Sequence, residues 1–163
     1  MRVRIPFAAW ALLAGIGPLS GQSSAAIPVE VRSALDRMHP GWRVAAVGAD
    51  VRSVGGERLG RTPGVITGDD DGNGRPDVAV LIEYPNVDEP TKAFTHFVEA
   101  IAFLASDRGF TSVPLRGRQP GPNPDLYLTL QKRGEQGFDF EANKKFTYAH
   151  DSIGEWYFGK AGG

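Results

Sequence analysis

Hydrophobic positions recur at helical spacing in one clear place, between Pro28 and Pro40. There Val31, Ala34, Leu35 and Met38 form a single stripe, which predicts an amphipathic helix over residues 29–38 with that stripe in the core. Pro28 suits a first helical turn and Pro40-Gly41 is a stop signal. Further on the pattern shortens to strand-like runs. "WRVAAVGADV" (42–51) reads as a strand, and "RSVGGERLGRTPG" as a polar, Gly-rich connection. "VIT" is a short strand piece. "DVAVLIEY" (77–84) is almost continuously apolar, as a central strand covered on both faces would be.

Residues 93–105 fit two templates. Phe94, Phe97, Val98, Ile101, Leu104 and Ala105 make a helical face, yet Phe97 to Phe103 also alternates. The "DRG" that follows, and then "FTSVPL", resembles a hairpin return and tips the reading towards a strand, with a helix as the alternative. "RGRQPGPNPD" (116–125) reads as an exposed loop whose prolines exclude regular pairing. "LYLTLQK" alternates cleanly, with Leu126, Leu128 and Leu130 on one face. "GFDFEANKKFTYAH" reads as a hairpin with Asn143 near its turn, and "SIGEWYF" as a last strand. Together these elements predict an α+β domain, an N-terminal amphipathic helix packed on a mainly antiparallel sheet.

The first 26 residues follow a different logic. Arg2 and Arg4 precede an apolar stretch from Ile5 to Ile16, and Ser23-Ser24-Ala25-Ala26 offers a small-residue cleavage site. This is the layout of an export signal, cut after Ala26. A short membrane anchor is the alternative, but a span needs about 20 apolar residues, and Pro6, Gly15 and Gly17 interrupt this one. Residues 27–163 are then a single domain, expected in the periplasm or outside the cell without stable membrane insertion.

The chain has no cysteine. Disulfides, thiolate metal sites, cysteine nucleophiles and a lipid-modified cysteine are all excluded. A metal ion is the local staple still open to it. The net charge of −1 becomes more negative once Arg2 and Arg4 leave, which argues against nucleic acid as a partner.

Between "VIT" and "DVAVLIEY" lies Asp69-x-Asp71-x-Asn73-Gly74-x-x-Asp77. Side-chain oxygens at loop positions 1, 3, 5 and 9, with Gly at position 6 for the sharp turn, are the pattern of a calcium loop. Asp69, Asp71, Asn73 and Asp77 would ligate through side chains and Arg75 through its backbone carbonyl. All-oxygen ligands favour calcium. The loop is not an EF-hand, because position 12 is Val80 and a strand follows instead of a helix. A solvated acidic turn is the competing reading, since Asp, Asn and Gly are turn formers.

"GVITGDDDGNGRPDVAVLIEY" is similar to the calcium loop of FG-GAP and VCBS repeats, the integrin-like type. More narrowly, the chain resembles small bacterial exported proteins with a single such loop, to which "HPGWRV" (39–44) and "LYLTLQKRGE" (126–135) also correspond. The resemblance implies calcium on Asp69, Asp71, Asn73, the Arg75 carbonyl and Asp77, and no established enzymatic activity. Loop position 2 departs from it: an apolar residue is usual there, and this chain has Asp70. The resemblance also implies a further strand pair past "GKAGG", so that the sheet is smaller or the sequence incomplete. One loop cannot make a propeller, which needs roughly four to eight blades.

Other constellations are weaker. His39, His96 and His150 are not spaced as zinc ligands; His39 is expected at the helix C-terminus, its charge favouring the dipole. "HDS" (150–152) contains triad residue types with no nucleophile elbow. "GGERLG" lacks the strand-turn-helix context of a dinucleotide site. Glu83, Glu99 and Glu155 could be paired for glycoside cleavage only as in any acidic protein. Trp42, Trp156, Tyr157 and Phe158 are expected in the core or on a sheet face. The functional expectation is an exported, non-enzymatic module with one structural calcium site and an unidentified protein partner, met through an exposed face or through residues 116–124. The alternatives are a periplasmic inhibitor or immunity-type protein against a secreted toxin, and a metal-dependent hydrolase with Glu83 as base.

Overall fold

A computed structural model of the chain describes residues 27–55, 59, 62–87, 94–139 and 141–157. The export signal expected at 1–26, the end of the last strand at Phe158 and most of "GGERLG" lie outside the described residues. The elements are α1 (Val29–Met38), β1 (Arg43–Val44), α2 (Ala49–Gly55), β2 (Val65–Gly68), β3 (Asp77–Pro85), β4 (His96–Ser106), β5 (Gly109–Gly121), β6 (Leu126–Gln131), β7 (Gln136–Asp139), β8 (Lys144–Thr147) and β9 (Ser152–Tyr157). The chain is mostly antiparallel β-sheet with few helical residues, which agrees with the α+β expectation at that level.

The strand expected to be central is central. On one side β3 pairs with β4, which pairs with β5; on the other, β2 lies along its first half and β1 along its second. The β2–β3 register, Val65↔Val80 through Gly68↔Asp77, makes residues 69–76 the turn of a hairpin. Alternation then decides what each face of β3 meets. Val78, Val80 and Ile82 cluster with Val31 and Leu35 of α1 and with Ile101 and Phe103 of β4. Ala79 and Leu81 face Leu126 and Leu128 of β6 and Ile153 of β9, beside Ala100 and Ala102. The order of layers is thus helix, five-stranded sheet, two-stranded ribbon. Small side chains on the ribbon face permit close approach. At Gly68 an added Cβ would stand 2.7 Å from Leu130 Cδ1, so only glycine fits the crossing without a shift. The separate β7–β8 hairpin turns at Asn143, which takes the left-handed conformation (φ 49°) that Asn tolerates.

Several expectations need correction. The strand expected over 42–51 is only Arg43–Val44, and residues 49–55 are helix α2. Val47, Val51 and Leu59 pack there with Tyr127, on the side of β6 away from the leucines. The strand reading favoured for residues 93–105 holds from His96 onward, over its helical alternative. Arg116–Gly121, expected as an unpaired loop, belongs to β5, where Gln119 faces Val98 and Pro120 faces Phe97. An edge strand tolerates proline because one side of its backbone bonds to nothing, and register shifts around Ala100 absorb the irregularity. Met38 is 42% exposed, so the buried part of the helical stripe is Val31 and Leu35.

His39 does cap α1, its N–H donating to the Leu35 carbonyl at 2.8 Å, but not as a cation. Its ring lies 4.3 Å from that of Tyr84, and its Nε2 is 3.9 Å from Glu99 Oε2. Burial lowers the imidazole pKa by more than Glu99 raises it, so the neutral ring is favoured and the helix dipole gains nothing at neutral pH.

Glu155 is the strained polar group of the ribbon. Its side chain is 6% exposed, and Arg116 Nε lies 3.1 Å from its Oε1. Neither carboxylate oxygen is in hydrogen-bonding alignment with a donor among the described residues. Burial therefore raises its pKa, with Arg116 opposing.

Two stability predictions follow from this packing. Leu35→Ala is expected to cost about 2–5 kcal/mol in urea denaturation, and Met38→Ala no more than about 0.5 kcal/mol. Because the folded pKa of Glu155 is raised, its contribution is complete below the unfolded pKa and is lost as pH rises through the folded one. Glu155→Gln should therefore be more stable than the parent at about pH 8, by about 1 kcal/mol, with the difference vanishing near about pH 4; paired thermal melts read both values.

Candidate metal centre

The hairpin register carries the first and last loop carboxylates to the same end of β2 and β3, because Gly68 is opposite Asp77. Positive φ at Gly72 (75°) and Gly74 (82°) folds the intervening chain back on itself. As a result one oxygen from each of Asp69, Asp71 and Asp77 falls within 4.8 Å of the others. Three of the five expected ligand residues therefore converge in a group able to hold a metal ion. Their surroundings grade from buried Asp77 through half-buried Asp69 to exposed Asp71.

Each carboxylate does a different job. Asp77 is fully buried. Its Oδ1 accepts the Ala105 N–H at 2.7 Å, and its Oδ2 accepts the N–H groups of Asp70 (2.8 Å) and Asp71 (3.3 Å). It thus ties the loop to the end of β4. Asp71 accepts from Asn73 twice, from the backbone at 3.0 Å and the side chain at 2.8 Å. Asp69 Oδ2 accepts from the Gly74 N–H at 3.0 Å. Asp69 Oδ1 is buried and has no hydrogen-bond partner among the described residues.

The remaining two expected ligands brace the loop. Asn73 Nδ2 donates to the Ala105 carbonyl at 2.7 Å, and Asn73 Oδ1 accepts the Arg75 N–H at 2.8 Å. Arg75 enters the site's hydrogen bonding through that N–H, and ligation by its carbonyl stays an expectation. Asn73 and Asp77 both hold Ala105, so the loop is anchored to the β4 end by two side chains.

What the sequence did not disclose is the loop's other anchorage. Asp70 Oδ1 accepts the Ile153 N–H at 2.7 Å, from a residue 83 positions away. Asp151 lies alongside. Burial pulls its carboxyl pKa up, but the Arg133 N–H, the Lys132 ammonium (3.0 Å) and the Asp69 N–H outweigh that and leave it lowered. The His150 ring covers Gly72, where an added Cβ would lie 3.3 Å from its Cδ2. Asp69, Gly72, Arg133, Ala149, His150 and Asp151 line a cavity of about 310 Å³ beside the loop. The one hint in the sequence was Asp70 itself, at a loop position where the resemblance expects an apolar residue.

Other constellations resolve into structural contacts. His150 Nδ1 bonds the Asp151 carbonyl, not its carboxylate, and Asp151 is occupied by Lys132 and Arg133, so "HDS" is no triad. Among the described residues no histidine joins a metal-competent group. Glu83 is buried at the far end of β3 and pairs with Arg43 at 3.1 and 3.3 Å. It lies six residue steps along the strand from Asp77, roughly 20 Å, which removes it as a base acting at this loop. Glu83 sits opposite Val98 and Glu99 opposite Ile82, so the two carboxylates point to opposite faces of the sheet and cannot flank one bond.

Bracing and ligation are separable by mutation in EDTA. Asp77→Ala leaves three N–H groups without their acceptor and is expected to cost about 2–4 kcal/mol even without metal. Asp71→Ala, at an exposed position, should cost less than about 1 kcal/mol under the same conditions. Chemical denaturation of the two variants reads the contrast.

Comparison of the chain with protein-family models, with curated proteins and with solved structures found no match.

Proposed function

We propose that this chain is an exported, non-enzymatic α+β module in which residues 69–77 hold one structural calcium ion, and that it acts by binding a protein partner. The carrying observation is the buried, unpartnered Asp69 Oδ1 beside two further carboxylates within 4.8 Å. A buried charged oxygen without a donor is costly, and a divalent cation supplies the missing partner. Asp69, Asp71 and Asp77 are the ligands the geometry supports; Asn73 and the Arg75 carbonyl complete the set that the loop resemblance implies. Hard oxygen ligands contributed by one flexible loop suit calcium better than magnesium, which demands a near-ideal octahedron and keeps several waters. The ion would offset the repulsion among these carboxylates and stiffen the entry to β3.

The non-enzymatic reading is supported by where the acidic groups are spent. Glu83 is with Arg43, and Glu99 accepts the Tyr84 hydroxyl at 3.0 Å. Residues 116–121, expected as part of an exposed docking loop, form an exposed edge strand, so a partner meeting them would meet a strand edge. Export is proposed from residues 1–26 alone. Among the described residues no helix is long and apolar enough to cross a membrane.

Calorimetric titration of the purified protein with calcium tests the metal reading. A binding heat is expected for the parent and its loss for Asp71→Ala. Equal heats from the two proteins, or none from the parent, would remove the site. Free calcium at 100 times the dissociation constant should also raise folding stability by about 2.7 kcal/mol over EDTA.

A further inference from the structure

The loop meets one short stretch of the ribbon at two points. At Gly68 an added Cβ would stand 3.1 Å from Asp151 Oδ2, and Asp70 Oδ1 accepts from the Ile153 N–H at 2.7 Å. Among the described residues strand β9 is paired only with β6, and the Ile153 N–H goes to Asp70. That donor therefore lies on the outer edge of the ribbon, where no described strand covers it. Ile153 is also a core residue, 8% exposed and packed between ribbon and sheet. On the other side, the Asp70 N–H is held by Asp77 Oδ2 at 2.8 Å, the same carboxylate that anchors β4. Asp70 thus bridges the metal-competent group and the ribbon through a single residue, backbone on one side and carboxylate on the other.

We propose that Asp70 makes this loop an ion-dependent clasp: calcium bound by Asp69, Asp71 and Asp77 holds the Asp70 carboxylate on the Ile153 amide, and so locks the β6–β9 ribbon onto the main sheet. The proposal deepens the calcium reading and rests on it. Four carboxylates, Asp69, Asp70, Asp71 and Asp77, share one short loop. Without an ion their mutual repulsion favours loop conformations that spread them, and spreading moves Asp70 off its donor. With the ion the repulsion is offset and the loop backbone is fixed, so the edge amide keeps its acceptor. Asp70 is a positioning residue in this scheme and not a ligand. Crowding at the same crossing helps: Gly68 fits under Leu130 and Asp151, and Gly72 under His150, so the ribbon seats only when the loop is folded.

Hydrogen exchange on the full chain, in excess calcium and in EDTA, tests the clasp, with calcium binding measured in parallel by calorimetry. In the parent, calcium should slow exchange at Ile153 by on the order of 10–100-fold. Asp70→Ala should keep the calcium heat and the calcium-dependent slowing of core β3 amides such as Leu81, and lose the slowing at Ile153. Asp70→Asn keeps an acceptor oxygen and is expected to retain it. If Asp70→Ala does not fold, the parent and Asp70→Asn carry the test alone. A calcium heat with no slowing at Ile153 in the parent overturns the clasp and leaves the metal site standing. Undiminished slowing in Asp70→Ala does the same. Absence of a calcium heat overturns both readings.

Discussion

The carboxylate of Asp77 is the contact on which the rest of this architecture hinges. A fully buried charge at the start of a core strand is tolerable only if its oxygens are hydrogen-bonded, and three backbone N–H groups converge on it. Such charge-assisted bonds are roughly twice as strong as neutral ones. Two of the donors belong to the loop and the third to the end of β4. Asp77 therefore fixes the loop against the sheet, and the other carboxylates inherit their places from it.

The alternation of β3 explains why the loop matters beyond its own turn. Odd and even residues of one strand serve two separate clusters, one beneath α1 and one beneath the ribbon. The helix face is built from branched and aromatic side chains. The ribbon face is rich in alanine and brings two backbones close. Ala79, Ala100 and Ala102 bury little area each, so the ribbon gains less from the hydrophobic effect than the helix does. Polar ties at the crossing with the loop then carry a larger share of the attachment. Asp70, bonded to the Ile153 N–H, is such a tie.

The parts of this fold that could be read in advance are those specified by local pattern. The β3 run, the alternation of Leu126, Leu128 and Leu130, and the turn at Asn143 depend on neighbours in sequence, and the structure has them where the pattern put them. The errors share a cause. Pro120 forbids a central strand but not an edge, and whether a strand is an edge depends on the whole sheet. Val44, Val47 and Val51 gave residues 42–51 the look of a strand, yet Val51 is taken into a helical turn against Val47, Leu59 and Tyr127. Within the site, the spacing foretold the convergence of Asp69, Asp71 and Asp77. It was silent on Asp70, because its partner is 83 residues distant and no local rule connects them.

The distribution of counter-charges bears most directly on what the loop is for. Three other buried or half-buried carboxylates have a cation of the protein's own, Arg43 for Glu83, Arg116 for Glu155 and Lys132 for Asp151, while Glu99 accepts the Tyr84 hydroxyl. Those pairs join separate elements and exploit the length of basic side chains. At the loop the pattern breaks. Among the described residues no ion pair reaches Asp69, Asp70, Asp71 or Asp77, although the exposed Arg75 sits in the same loop. Backbone donors satisfy Asp77, but they carry only partial charge and leave Asp69 Oδ1 unpartnered. Among the described residues, the arginine or lysine that those three carboxylates have is missing from Asp69, Asp71 and Asp77, the group that could hold a metal ion.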